Sequence, residues 1–225
     1  MGVNYFLVAI SFISTIIVYA FSLFVIKANP KSWKNRGFFL YLFTKGLLFL
    51  TTTLIPLLPL YSQVLLSFKV YTTSIFFFSS YFLLFGLSFY LSDEKLKKVF
   101  ILLTLLAICF SLFSLQTSSF IIEKTDYGWF FNQDLPHGLI SSGYFYLLKG
   151  IGIFLLFKFT FSLSSRELKR NMKIISFAFL IHYLACTPII ILGRIYGTCE
   201  YDLYWPIIDV ILFGIALRSF LKIKE

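Results

Sequence analysis

Charge is scarce in this chain. Of its 225 residues only 13% are Asp, Glu, Lys or Arg, and just ten are acidic. A water-soluble domain carries about a quarter charged residues, so a surface built for water is excluded. Histidine is nearly absent: there are only His137 and His182, and neither stands in a His-Glu-x-x-His array. The chain has no Gly-x-Ser-x-Gly nucleophile elbow and no Gly-rich phosphate loop ending in Lys-Ser or Lys-Thr. Its three cysteines, Cys109, Cys186 and Cys199, form no Cys-x-x-Cys pair, so neither a disulfide framework nor a metal cluster can be read from them. One carboxylate, Asp209, falls inside an apolar run, which leaves a paired-carboxylate intramembrane protease without its second acid. These absences point away from an enzyme, and nothing calls for a metal or cofactor.

What the chain does have is apolar length. Hydrophobic residues make up 59%, thirty of them Phe and fourteen Tyr, and the mean hydropathy is +0.86. Crossing the hydrocarbon takes ~20 apolar residues in a helix. Seven runs reach spanning length, at about 5–26, 37–60, 64–91, 99–115, 139–161, 174–193 and 203–220. Transmembrane β-strands alternate over ~10 residues, whereas these runs are continuous and about twice as long. The expected fold is all-α, a single seven-helix transmembrane bundle. Its helix contacts are expected to use small residues, among them Ser141, Ser142, Gly143, Gly150 and Gly152.

The basic residues set the orientation. Placing the N-terminus outside puts fifteen Lys and Arg in the inner loops and tail, leaving only Lys124 and Arg194 outside. Cytoplasmic loops carry that excess, so the expected layout is N-terminus outside and C-terminus cytoplasmic, multi-pass in the plasma membrane. No basic residue precedes the first run and Lys27, Lys31, Lys34 and Arg36 follow it. That is the reverse of a cleavable signal peptide. The net charge of +10 therefore belongs to orientation and lipid head groups, and nucleic acid is not an expected partner. The longest inner connection, residues 160–173, has fourteen residues. A unit under ~40 residues rarely folds alone, so any catalytic output needs another polypeptide.

Ionisable groups at membrane depth are costly and face the bundle interior. Lys149 and His182 lie near the middle of the fifth and sixth runs, and Lys69 and Asp209 about six to seven residues below the outer ends of the third and seventh. Lys69, Lys149, Asp209 and His182 are therefore the candidate ligand-binding residues, with Thr72 and Thr73 on the same face as Lys69. A Lys149–Asp209 or Lys69–Asp209 pair would relieve part of the burial cost, and the surplus positive charge suits a small anionic or amphipathic ligand. A purely structural Lys149–Asp209 pair stands beside that reading, as does His182 as a helix-contact residue. For Lys45, about eight residues above the inner end of its run, and for Lys69, snorkelling at a membrane face stands beside any functional role. Pro188 is expected to kink the sixth helix. The aromatic segment 127–131 in the loop 116–138 reads as an interfacial belt or a lid.

The layout, and two local segments, resemble a known family. The segment Asp126 to Phe131 (Asp-Tyr-Gly-Trp-Phe-Phe) precedes the fifth span, and Ser164 to Asn171 (Ser-Ser-Arg-Glu-Leu-Lys-Arg-Asn) forms a basic inner loop before the sixth. Both resemble the N-terminal seven-transmembrane sensor region of bacterial histidine kinases. The resemblance implies a sensor that binds a small or amphipathic ligand from the outer side. Here no kinase module follows the seventh span before Glu225, so it also implies signalling through a separate cytoplasmic protein. The alternative is a small transporter or permease, with the intramembrane lysines along its route; such folds often show internal repeats, and none is visible here.

Overall fold

A computed structural model describes the backbone of residues 5–117, 120–125, 128–133, 135–196 and 200–222. The side chains of 186–207 and of several hairpin residues lie outside the described set. Seven helices follow the seven apolar runs: α1 (Tyr5–Ala28), α2 (Trp33–Leu54), α3 (Tyr61–Leu87), α4 (Asp93–Thr117), α5 (Leu135–Ser162), α6 (Arg166–Tyr196) and α7 (Glu200–Phe220). Among the described residues, five helices are long and apolar enough to cross a membrane: α1 to α5. Both the helical class and the bundle are as the composition requires.

Most helices are longer than the hydrophobic runs that announce them. Asp93 and Glu94 form the first turn of α4 and Glu167 lies in that of α6, where carboxylates complement the positive end of the helix dipole. The inner connection expected at 160–173 shrinks accordingly to residues 163–165, because Arg166 to Lys173 already belong to α6. Pro56 ends α2 in a short 3₁₀ turn, Ile55–Leu57, since a proline within the helix removes a donor and clashes with the preceding turn. The expected kink at Pro188 and the environments of Cys186 and Cys199 lie outside the described side chains; Cys109 is exposed and free.

Neighbouring helices form a closed circuit, α1–α2–α3–α5–α6–α7 and back to α1, with α2 also reaching α7. Helix α4 packs on α3 from outside that circuit. Its buried residues, Leu96, Leu103, Ala107, Ser111 and Ser114, fall on one narrow stripe of the 3.6-residue repeat. The rest of its apolar surface faces outward, as a lipid-facing helix requires. Many hydroxyl groups are satisfied inside the helices. Thr15, Thr52, Ser74, Ser79, Ser111, Thr160 and Ser176 each donate to a carbonyl three or four residues back in the same helix, which removes the cost of an unpaired donor in hydrocarbon. Two hydroxyl pairs also join helices, Ser11–Thr53 at 2.7 Å and Ser80–Tyr144 at 2.6 Å, and the Thr160 and Ser176 oxygens approach to 3.1 Å.

The loop 116–138 departs from expectation, since part of it folds as a β-hairpin. Strand β1 (Phe120–Thr125) pairs antiparallel with β2 (Gly128–Gln133). It is anchored on the α2–α3 turn, where the Trp129 indole N–H donates to the Leu58 carbonyl at 2.7 Å. Phe120 meets Phe68 edge-on at 5.0 Å. Trp129 thus serves as an anchor, while the side chains of Tyr127, Phe130 and Phe131 lie outside the described residues.

Small residues govern one helix contact. On Gly152 an added methyl carbon would stand 2.7 Å from Phe82 Cδ1, and on Gly86 3.1 Å from the Gly152 carbonyl oxygen. These glycines let α3 and α5 approach closely. Gly143, by contrast, faces open space. Gly152→Ala is therefore expected to cost about 1–3 kcal/mol through overpacking, while Gly143→Ala leaves stability unchanged or slightly raised; thermal unfolding of both purified variants in detergent checks the contrast.

Candidate functional site

Three of the four residues singled out from the sequence meet inside the bundle, joined by one that was assigned elsewhere. Asp209 on α7 is fully buried. Its Oδ1 lies 2.6 Å from His182 Nε2 on α6, and its Oδ2 lies 3.3 Å from Lys45 Nζ on α2. On the far side of the imidazole, Lys149 Nζ of α5 contacts His182 Nδ1. The result is one chain of polar atoms, Lys45–Asp209–His182–Lys149, linking four helices with almost no exposure to solvent.

The proton arrangement follows from the donor inventory. A lysine ammonium can only donate, so Nδ1 accepts from Lys149 and Nε2 carries the proton that faces Asp209. Moving the bridging proton from Lys149 to His182 leaves the total unchanged. In both cases the four side chains carry two positive charges and one negative, a net charge of +1. Aromatic faces take up part of that surplus. Lys45 Nζ sits 4.8 Å from the ring centre of Phe49 and 4.9 Å from that of Phe78, and Lys149 Nζ sits 4.9 Å from that of Phe145. His182 stacks on Phe213 at 5.6 Å.

Lys45 corrects the sequence reading. It does not snorkel; it is buried and holds the aspartate. The error came from measuring its depth against the apolar run, which starts at residue 37, while α2 itself starts at Trp33. At ~1.5 Å per residue Lys45 lies about 18 Å along α2 from the basic end of the bundle, and Asp209 about 17 Å from the end of α7. Counting both from that common end would have paired them.

Lys69 is the second correction, because it does not join the cluster. Its place on α3 is about 27 Å from the basic end, a full turn and more beyond Lys45. It lies instead in a separate groove of ≈ 430 Å³ between α2, α3 and α4, lined also by Thr44, Leu66, Thr73, Phe77 and Leu115. Thr73 does share that face, while Thr72 turns inward and is buried.

Below the cluster, toward the basic end, the interior is filled by rings. Phe213 and Phe179 lie 5.9 Å apart, Tyr41 touches both, and Phe38 stacks on Phe85 at 4.7 Å with Phe220 5.0 Å from Phe38. All are buried. Among the described residues no three His, Cys, Asp or Glu side chains gather as a metal would need; the contacts at the site itself are ionic pairing and a shared proton. No family model matches the chain, and no curated protein matches it; the site is read from its own residues.

Charge bookkeeping gives an ordered prediction. Lys149→Met brings the cluster to neutrality, whereas Asp209→Asn raises it to +2 and strands two buried ammonium groups. Removing one partner of a buried pair costs about 3–5 kcal/mol. Asp209→Asn is therefore expected to lower the thermal midpoint in detergent clearly more than Lys149→Met, and Lys45→Met introduced into the Asp209→Asn background should restore part of the loss. Equal effects of the two single variants would show that charge balance does not govern the cluster.

Proposed function

We propose that this chain is a multi-pass seven-helix sensor of the plasma membrane, with its N-terminus outside and its C-terminus in the cytoplasm. It answers a small anionic or amphipathic ligand from the outer side and passes the response to a separate cytoplasmic protein. The observation that carries the reading is the buried chain Lys45–Asp209–His182–Lys149, which ties α2, α5, α6 and α7 together at mid-depth. An ionic knot of this kind has discrete alternatives. Asp209 can hold Lys45, or release it to an incoming anion, and each choice favours a different packing of α2 against α7. A ligand shifts such an equilibrium only by the difference in its affinity for the two arrangements.

The orientation follows the clustering of basic residues around the α1–α2, α3–α4 and α5–α6 connections, all at the bundle end opposite the hairpin. The aromatic fill below the cluster favours sensing over transport, since a carrier needs a polar path reaching both faces and Phe38, Phe85, Phe179, Phe213 and Phe220 obstruct it on the inner side. The likeness to the sensor region of histidine kinases agrees with this output, and rests on layout and the two segments already named. A small transporter remains the second reading, favoured by one feature: a continuous string of titratable groups at membrane depth is also what proton coupling uses.

The two separate in proteoliposomes. Spin labels at the basic ends of α2 and α7 are expected to change separation when Asp209→Asn frees Lys45, with no flux of protons under an imposed pH gradient. Unmoved helix ends would defeat the sensor reading, and proton flux lost in Asp209→Asn would establish the transporter.

A further inference from the structure

The groove holding Lys69 has a chemistry of its own, apart from the buried cluster. Its walls are apolar along Leu66, Val70 and Phe77 on α3, with Leu115 of α4 closing one side and Thr44 of α2 the other. Lys69 is the one charged side chain lining it, and among the described residues it forms no ion pair. From Leu66 to Phe77 the groove runs along twelve residues of α3, about 16 Å, close to the thickness of one leaflet of a ~30 Å hydrocarbon core. Its volume of ≈ 430 Å³ falls within the ~300–1,000 Å³ of ligand sites. Side chains on a helix tilt toward its N-terminus, and for α3 that is the end bearing the hairpin. That tilt favours a Lys69 ammonium directed toward the nearer membrane surface.

A cation with no ion pair among the described residues, on the wall of a leaflet-deep apolar slot, selects one kind of occupant. We propose that the α2–α3–α4 groove binds a phosphate-headed anionic lipid of the surrounding bilayer, its acyl chain lying between Leu66 and Phe77 and its phosphate paired with Lys69. The hydroxyl of Thr73, one turn from Lys69, lies beside the chain. Ser74 is already committed to the Val70 carbonyl at 2.8 Å and adds no demand for a polar partner. The groove opens between its α2 and α4 walls, so a lipid reaches it laterally without leaving the membrane. This assignment does not depend on whether the chain senses or transports.

Native mass spectrometry of the purified full chain tests it. Protein from nanodiscs of phosphatidylglycerol and phosphatidylcholine is expected to retain one phosphatidylglycerol in preference to phosphatidylcholine. Lys69→Met should weaken that retention about fivefold, the share of one lysine near an anionic surface, while Lys69→Arg should preserve it. Thr73→Phe, which fills the slot but keeps the charge, should weaken it as well. Addition of inorganic phosphate should not displace the lipid, because the acyl chain supplies much of the binding. Equal retention in Lys69→Met and the parent chain would overturn the proposal. So would unchanged retention in Thr73→Phe, which would place the lipid on the head-group surface alone, and so would retention of phosphatidylcholine at the same level. Displacement by phosphate alone would assign the site to a free anion instead.

Discussion

One carboxylate governs the interior of this bundle. Asp209 is the sole acidic group among four buried titratable side chains, and it faces a lysine on one oxygen and an imidazole on the other. In hydrocarbon an isolated charge is too costly to keep, while a paired one with further polar contacts is tolerable. Lys45, His182 and Lys149 can be buried because Asp209 is there, and the helices that carry them are brought to a common depth by that requirement. The aromatic rings around Lys45 and Lys149 supply the remaining accommodation. Phe49, Phe78 and Phe145 present their electron-rich faces to ammonium groups, which explains in part why so many phenylalanines sit inside the bundle.

Much of the architecture was legible in the residues because lipid is a demanding solvent. A span must be long, continuous and apolar, and a helix satisfies its own backbone, so α1 to α5 could be located within a few residues from hydropathy. The ends were harder, since polar residues such as Asp93, Glu94 and Arg166 fold as helical turns outside the hydrocarbon, where hydropathy carries no signal. The hairpin escaped notice for a related reason. Segment 116–138 is mixed in character, and its pairing is fixed by anchors on another element, Trp129 on the Leu58 carbonyl and Phe120 on Phe68. Such anchors are invisible in a local pattern.

The candidate site was legible as a set of unusual residues but only partly as a set of partners. Lys149, His182 and Asp209 were identified because they interrupt apolar runs, and they do converge. Lys45 and Lys69 were placed by distance from the nearest end of a run, a measure that ignores which helices are neighbours. Helix α2 touches α7, which brings Lys45 to Asp209; Lys69 on α3 faces α4 and the outside. Depth selects candidates, and adjacency decides among them.

Residues 44 and 45 make α2 a partition. Thr44 lines the lateral groove, and the next residue, Lys45, holds Asp209 in the interior. Consecutive positions on a helix differ by about 100° in direction, so one turn of backbone has a wall on each compartment and no intervening layer. A small roll of α2 about its axis moves both surfaces at once. The lipid-facing side and the ionic interior are mechanically geared through a single peptide unit.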